Sequence, residues 1–260
     1  MAIILEDKTR TSTRQLEVRL AEDQYELEQA LALRYEVFNL EMGEGLPQSR
    51  ESQKDRDEYD YHCEHLIVLD KTNQNKIVGT YRILKREVAR KTIGFYSENE
   101  FSLKKLYEMK DEVAEVGRSC VHKDYRGGTT ISLLWIGFGQ YMKENNIRYL
   151  MGCGSVHSTS AETASEVYAY LKHQNAIIRE DLCIEPLPSC ILPGFNPDYP
   201  IQNLRETTKK IPPLIKGYLR LGAKMSGKPA LDAVFGTTDF FIFFDRNEIN
   251  SRYGKHYLGQ

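Results

Sequence analysis

The residues whose types and spacing could support chemistry are concentrated between Val113 and Gln140. Their pattern predicts a buried strand from Ala114 to His122, a polar turn from Lys123 to Gly128, and an apolar helix from Thr129 to Gln140. A glycine turn before a helix presents backbone N–H groups and the positive end of the helix dipole to an anion such as a phosphate. An ordinary strand-to-helix connection is the alternative, and spacing alone does not separate the two.

The segment Tyr125–Gly128, followed by an apolar helix, resembles motif A of the GNAT acyltransferase superfamily, whose loop binds the pyrophosphate of an acyl-carrying pantetheine. Thr129 and Ile131 stand where the usual pattern has later glycines, which disfavours acetyl-CoA as the donor. With these two residues the motif is similar to that of the ornithine-lipid N-acyltransferases, a group also labelled haemolysins. The acyl-homoserine-lactone synthases are a more distant match.

The resemblance implies a donor and the residues that bind it. Both similar groups take their acyl chain from acyl carrier protein. The expected cosubstrate is therefore the acyl-phosphopantetheine of that protein, with acyl-CoA less favoured and no tightly bound cofactor or metal. The implied donor-binding residues are Arg118, Tyr125, Arg126, Gly127, Gly128 and Thr129.

Glu115 is the candidate general base. An acceptor amine is mostly protonated at neutral pH, so a base must take its proton before it attacks a thioester. Glu115 and Arg118 match a Glu-x-x-Arg element of the lactone synthases, and partial burial of the carboxyl group would raise its pKa toward a useful value. A structural ion pair between the two residues is the alternative. Neither Cys120 nor Cys153 has a base beside it in sequence, so an acyl-cysteine intermediate is not expected.

The lactone-synthase resemblance also implies an acceptor site. Arg34 falls in an Arg-x-x-x-Phe element, Asp57 and Asp60 in an Asp-x-x-Asp element, and Arg82 in a Val-Gly-x-x-Arg element. Carboxylates can hold an ammonium group, and a guanidinium can hold a carboxylate. Ser155 and His157 follow the predicted strand Arg148–Gly154, and the GNAT resemblance implies that they lie at the mouth of the cleft beside the motif A helix. The implied acceptor-binding set is therefore Arg34, Asp57, Asp60, Arg82, Ser155 and His157.

Residue types alone favour simpler interpretations of the same positions. Arg34 would be a solvated helix residue, and Gln48–Tyr61 would be a polar, mobile loop. Gly79 in the strand before Arg82 indicates a bulge or the close approach of a ligand.

Composition limits the class of protein. The chain has 260 residues, 41% of them apolar and 28% charged, as in ordinary soluble domains. A net charge of −2 gives no overall attraction to nucleic acid, so any basic surface must be local. Five cysteines without a CxxC pair indicate reduced thiols in the cytoplasm. No signal peptide or membrane-spanning segment is evident, so work on lipid would take place at the inner face of the membrane.

Periodicity and capping residues predict the other elements. They comprise a strand Leu16–Leu20, a helix from Asp23 to about Met42, a hairpin His65–Asp70 with Lys76–Leu84, a strand Arg148–Gly154, a helix Ser160–His173 and a strand Phe235–Asp245. With the resemblance they imply an α/β fold of GNAT type, with a central mixed, mostly antiparallel sheet flanked by helices. The expected organisation is a core over 1–190 and a C-terminal helical and strand extension over 191–260.

A helix predicted from Leu214 to about Met225 carries Lys216, Arg220 and Lys224 at intervals of four, which places them on one face. Such a face suits acidic acyl carrier protein or anionic lipid headgroups, and the sequence does not choose between these two partners. The favoured function is transfer of a long-chain, often 3-hydroxy, acyl group to the α-amine of an amino acid such as ornithine, giving a lyso-aminolipid. The alternatives are a lactone-type signal synthase and a non-catalytic, membrane-active protein.

Overall fold

A computed structural model describes residues 2–8, 13–178, 180–250 and 254. Its strands are β1 Ile3–Lys8, β2 Thr13–Leu20, β3 Glu64–Asp70, β4 Lys76–Lys85, β5 Glu112–Val121, β6 Ile147–Val156, β7 Lys224–Met225, β8 Ala230–Asp232 and β9 Thr237–Asp245. Its α-helices are α1 Gln24–Arg34, α2 Ser49–Ser52, α3 Arg86–Lys91, α4 Lys104–Glu108, α5 Thr129–Glu144, α6 Ala161–His173, α7 Leu204–Lys210 and α8 Pro213–Leu221. None of the helices in these ranges is long and apolar enough to span a membrane.

The chain forms two compact units, each assembled from separate parts of the sequence. Of the described residues, the first unit comprises 2–8, 13–93, 116–147 and 254, and the second comprises 94–115, 148–178 and 180–250. Neither unit is one continuous segment of the chain. The predicted division at residue 190 stays a prediction.

The first unit contains an antiparallel sheet in which β1, β2, β3 and β4 are neighbours in that order, and β5 follows β4. Both faces of β3 are covered. Ile67 and Leu69 pack in a cluster with residues of α1, while Leu66 lies on the α5 side beside Gly137. A strand buried on both faces explains why Leu66–Leu69, in the first strand of the predicted hairpin, is continuously apolar instead of alternating.

Helix α5 lies very close to this sheet because a glycine stands at the contact on each side, Gly79 on the sheet and Gly137 on the helix. A Cβ atom on Gly79 of β4 would come within 2.7 Å of Thr130 Cγ2, and one on Gly137 of α5 within 2.8 Å of Val18 Cγ2. The pairing of β3 with β4 also shifts register between Val68 and Leu69, opposite Gly79. The extra residue of β4 is Val78, so the bulge lies directly beside Gly79. The close approach at Gly79 is made by α5 and not by a ligand.

The first helix begins where predicted but changes its form before it ends. The Asp23 side chain accepts a hydrogen bond from Glu26 N and caps α1. After Arg34 the chain continues as a π-helix over Tyr35–Met42, which ends at Gly43 with a φ of 74°. Such π-turns inside helices are rare. The prediction of a helix up to Met42 holds in extent.

The second unit contains a smaller antiparallel sheet. Strand β9 pairs with β6 along its length, so that Ser155 lies opposite Asp239, and it also pairs with β7 and β8. A buried cluster that includes Leu171 of α6, Ile215 of α8 and Phe240 of β9 covers one side. Together the two units have the predicted mixed α/β composition with mostly antiparallel strands and flanking helices.

Two local predictions are wrong. The segment Gln48–Tyr61 contains α2 and a 3-10 helix over Glu58–Tyr61, and its Asp55 and Asp60 side chains are buried. The helix predicted to reach Met225 ends at Leu221, because Gly222 adopts a left-handed φ of 103° and closes it. Lys224 therefore belongs to β7 and not to the helix face of Lys216 and Arg220.

Candidate functional site

The predicted donor loop lies in the first unit and is anchored by Tyr125. Its hydroxyl group donates a hydrogen bond to Asp70 Oδ2 over 2.8 Å. Its ring lies 4.0 Å from the Arg14 guanidinium carbon, in a cation–π arrangement. Tyr125 is 7% exposed. These contacts fix the position of the loop between β5 and α5, while direct binding of the donor by Tyr125 stays a prediction.

The N-terminus of α5 is open around the two glycines. Gly128 has a φ of 104°, and a Cβ on Gly127 or Gly128 would meet nothing within 4 Å. No side chain caps the helix, and its first turn carries no acidic residue. Since the first N–H groups of a helix have no partner within it, this terminus is suited to an anion. It is the geometry that motif A predicts.

Two other members of the predicted donor set are held by acidic side chains. Arg126 donates to Val121 O over 3.0 Å, and its guanidinium pairs with both carboxylate oxygens of Glu41. Thr129 Oγ1 donates to Asp7 Oδ1 over 2.7 Å. A phosphate at this terminus would therefore compete with Glu41 for the Arg126 guanidinium.

The predicted acceptor residues of the first unit gather into one buried ion-pair network. Arg34 is 1% exposed and lies 2.6 Å from Asp55 Oδ1 and 2.7 Å from Asp60 Oδ1. Arg82 Nη1 lies 2.5 Å from Asp57 Oδ1 and 3.2 Å from Asp60 Oδ1. The structure thus brings together all four of these residues and adds Asp55, which no local sequence pattern distinguishes.

Arg118 extends this network from β5. Its Nε atom lies 3.7 Å from Asp55 Oδ1 and its Nη2 atom 3.8 Å from Asp57 Oδ2. Its backbone has a left-handed φ of 49°, a strained conformation for a non-glycine residue inside a strand. The arginines and aspartates satisfy one another's charges here. Their binding of an acceptor, and donor binding by Arg118, stay predictions.

Burial and charge shift the titration of this network. Burial alone would raise the pKa of Asp60, but Arg34 and Arg82 outweigh it and hold that pKa far below its usual range. The pKa of His65 falls to about 4, mainly because burial disfavours its charged form, and Asp60 opposes this only in part. Asp60 therefore stays ionised and His65 stays neutral at physiological pH.

Glu115 lies in the second unit and is held by the start of a 3-10 helix over Tyr96–Asn99. Its carboxylate accepts hydrogen bonds from Tyr96 N over 2.6 Å, from Ser97 N over 2.8 Å and from Ser97 Oγ over 2.5 Å. The residue is 6% exposed. Backbone donors of this kind stabilise the ionised carboxylate in one orientation. The predicted burial is confirmed, and the role as a base stays a prediction.

A second group of buried acids lies near this carboxylate, in the same unit. One ligand atom from each of Glu100, Cys153 and Asp239 lies within 4.8 Å of the other two. Cys153 Sγ donates to Ser97 Oγ over 3.3 Å, so Ser97 connects Cys153 with Glu115. Burial and the neighbouring acids raise the pKa of Glu100 and of Asp239.

The predicted acceptor residues Ser155 and His157 belong to this group. Ser155 Oγ donates to Asp239 Oδ2 over 3.2 Å, and the charge of His157 acts on the same carboxyl group. The sequence analysis overlooked Glu100 and Asp239. An acidic residue inside the apolar run Thr237–Phe244 was the available signal for Asp239, since unpaired acids are rare in buried strands.

The thiols are poor nucleophiles, as expected. Burial raises the pKa of Cys120 to about 12. Burial and the nearby Glu100 raise the pKa of Cys153 well above its usual value. Because the thiolate is the reactive form, neither cysteine is poised to form an acyl-enzyme at neutral pH.

The predicted basic face is smaller than the sequence suggested. Lys216 is half-buried and Arg220 exposed on α8, and neither has an ion-pair partner within 2–8, 13–178, 180–250 and 254. Lys224 Nζ instead donates to Asn175 O over 2.6 Å. Each flanking lysine is paired with an acid, namely Lys209 with Glu206, Lys210 with Glu166 and Lys228 with Glu185.

Comparisons with known proteins agree with the predicted GNAT-type domain. A family model described as acetyltransferase (GNAT) domain matches residues 33–136. A protein named L-ornithine N(alpha)-acyltransferase from Brucella abortus (strain 2308) is 36% identical over 251 residues, covering 93% of this chain and 88% of that protein. One of the same name from Rhizobium meliloti (strain 1021) is 36% identical over 250 residues, covering 93% and 84%.

Among solved structures, the AHL synthase LasI resembles this chain with 14% identity and a TM-score of 0.49, covering 94% of this chain and 95% of that one. Such a distant likeness carries no argument about function. The assignment of the chain to a family therefore depends on its sequence relatives.

Proposed function

The chain belongs to the L-ornithine N(alpha)-acyltransferase family, and from that premise we propose that it moves a long-chain, often 3-hydroxy, fatty acyl group to the α-amine of ornithine. The acyl donor is acyl carrier protein, and the product is an amide-linked lyso-aminolipid. The observation that carries the proposal is similarity over 93% of the chain to proteins named L-ornithine N(alpha)-acyltransferase, which supports acyl transfer to ornithine.

Amide formation from a thioester requires a neutral amine, a fixed donor and stabilisation of the developing oxyanion. In the proposed reaction Glu115 accepts a proton from the α-ammonium group of the acceptor, directly or through a water molecule. The amine then attacks the thioester carbonyl, the C–S bond breaks, and the leaving pantetheine sulfur takes the second proton that the nitrogen loses, so that it departs as a thiol. Support for this role comes from the buried carboxylate, which Tyr96 N and Ser97 N hold in one orientation.

The open helix terminus supports the proposed donor. Acyl carrier protein presents a single phosphate at the base of its pantetheine arm. The uncapped N-terminus of α5, with the unobstructed Gly127 and Gly128, offers backbone donors for such a group. Lys216 and Arg220 supply a small basic surface that suits an acidic carrier protein or an anionic membrane.

Lipid analysis of cells that express the chain tests this function. Mass spectrometry should show a new amide-linked aminolipid whose head group incorporates isotope-labelled ornithine. Cells expressing Glu115→Gln at equal protein level should contain far less of it. Lipids identical to those of cells with an empty vector would contradict the proposed function.

A further inference from the structure

We propose that Glu100 and Asp239, together with the Cys153 sulfur, form the subsite for the side-chain ammonium group of a diamino-acid acceptor. This inference rests on the proposed function, because it assigns the part of the acceptor that does not react. It concerns residues of the second unit only.

Among the residues that the structure describes, His157 places its charge near Asp239, but no lysine or arginine stands beside the buried acids of this region. Glu100, Asp232 and Asp239 are 5%, 9% and 3% exposed. Within the part of the chain that the structure describes, none of the three forms an ion pair with a lysine or arginine. Buried carboxylates are ordinarily paired, because desolvation of an unpaired charge is costly. The buried network around Arg34 in the first unit shows the usual solution, with arginines beside its aspartates. A positive charge brought by a ligand would therefore stabilise Glu100 and Asp239 as carboxylates.

One acceptor atom in this group has no hydrogen bond. Glu100 Oε2 is buried and has no partner. It belongs to a group whose three ligand atoms lie within 4.8 Å of one another. A single ammonium nitrogen could bridge acceptors at this spacing, because its three N–H bonds reach acceptors about 2.8 Å away in diverging directions. An ammonium group would thus satisfy an orphaned carboxyl oxygen and compensate the charge at once.

A metal ion suits the same atoms less well. A thiol must lose its proton to ligate zinc, whereas the Cys153 thiol keeps its proton in a hydrogen bond that it donates to Ser97 Oγ. Burial also raises the pKa of this thiol. An ammonium ligand requires no thiolate, since its N–H groups donate to the two carboxyl groups and more weakly to the sulfur.

Polar side chains follow one another along β6 from the subsite toward more exposed positions. Cys153 and Ser155 point to the same face of the strand because side chains alternate, and His157 follows at the same interval. Exposure increases along this line, from the partly buried Cys153 and Ser155 to the exposed His157. Asp239 lies opposite Ser155 in the register of β6 and β9. A polar ligand could therefore enter between His157 and Ser155.

The same atoms connect the subsite with the candidate base. Cys153 donates to Ser97, and Ser97 donates to Glu115. An acceptor whose side-chain ammonium lies between Glu100 and Asp239 would hold its α-amine at a distance set by its own carbon chain. This arrangement would select ornithine over amino acids that lack the second amine.

Comparison of ornithine with norvaline, which has the same carbon skeleton without the side-chain amine, tests the inference. Steady-state acylation and calorimetric binding of both ligands are measured for the wild type, Glu100→Gln and Asp239→Asn. Glu108→Gln and Asp198→Asn serve as matched controls at exposed, ion-paired acids of the same unit. We expect Glu100→Gln and Asp239→Asn to bind ornithine tenfold to hundredfold more weakly than the wild type. Their affinity for norvaline, and the ornithine affinity of both controls, should change little.

Proton release gives a second signature. Burial raises the pKa of Glu100. Ornithine binding near pH 7.5 should therefore release protons to the buffer as the ammonium group stabilises the carboxylate, and Glu100→Gln should abolish this release. Equal binding of ornithine and norvaline by the wild type would overturn the inference. A metal ion that is present in the purified wild type and absent from Glu100→Gln would overturn it as well. If no amino acid is acylated, the proposed function fails. The binding comparison of ornithine with norvaline still tests whether these acids bind the side-chain ammonium group.

Discussion

The Ser97 hydroxyl group donates a hydrogen bond over 2.5 Å to Oε1 of Glu115. Two backbone N–H groups, those of Tyr96 and Ser97, point at the same carboxylate. The candidate base is thus fixed by the turn that precedes it in the sequence, and its ionised form is the one that these donors favour.

The first prediction concerns Glu115→Gln. We expect turnover at neutral pH to fall on the order of a hundredfold, because the acceptor amine loses its base. The loss should shrink as pH rises, since solvent then deprotonates the amine. Rates at saturating substrates between pH 7 and pH 9.5 measure this, with circular dichroism as a check of folding. Unchanged turnover, or a loss of the same size at every pH, would assign Glu115 a structural role.

His65 should make stability depend on pH. Its folded pKa is about 4, below the ordinary value, so the unfolded chain binds more protons and stability falls as pH drops from about 6.5 to 4. The expected loss between pH 8 and pH 5 is about 2 kcal/mol of unfolding free energy. Urea unfolding at both values measures it. His65→Gln should flatten the dependence, whereas His173→Gln, at an exposed site, should leave it unchanged. Equal slopes in all three proteins would contradict the assignment.

Two glycine substitutions should separate packing from donor binding. Gly79→Ala places a Cβ 2.7 Å from Thr130 Cγ2, so the protein should lose about 1 to 3 kcal/mol of stability. Gly127→Ala meets nothing within 4 Å, so its melting temperature should match the wild type, while the KM of the acyl donor rises. Thermal melts and donor titrations measure both effects. A donor KM unchanged in Gly127→Ala would remove this loop from the donor site.

Charge reversal should identify the surface that meets the carrier protein. Lys216→Glu and Arg220→Glu are expected to raise the KM of acyl carrier protein severalfold, and the effect should weaken in high salt. Lys105→Glu, at an exposed lysine paired with Glu108, is the matched control. If the reversals weaken binding to anionic vesicles and leave the KM of the carrier protein unchanged, the surface serves the membrane instead.

Much of the fold follows from local sequence patterns. The alternation of Leu16–Leu20, the Asp23 cap and the glycine turn before Thr129 each specify an element through nearby residues, and each element forms. The end of α8 was missed although Gly222 marked it, because the basic residues continue at helical spacing up to Lys224.

Long-range contacts explain what the sequence could not show. Asp55 and Asp60 are buried because Arg34 reaches them from α1, across 21 and 26 residues. Glu100 and Asp239 meet through folding of the second unit, and no local pattern predicts a pair of acids so far apart. The family resemblance drew attention to Arg34, Asp57, Asp60 and Arg82 together, and the structure shows that they contact one another, which no sequence pattern revealed.

The most direct measurement uses purified protein, an acyl thioester of acyl carrier protein, and ornithine labelled with ¹⁵N at the α-amine. Tandem mass spectrometry of the product then identifies the nitrogen that carries the acyl chain. The account predicts one acyl group per ornithine, in an amide to the labelled nitrogen, formed by the wild type and strongly reduced in Glu115→Gln. Acyl transfer to the side-chain nitrogen alone, or no amide product with any acyl thioester, would contradict it.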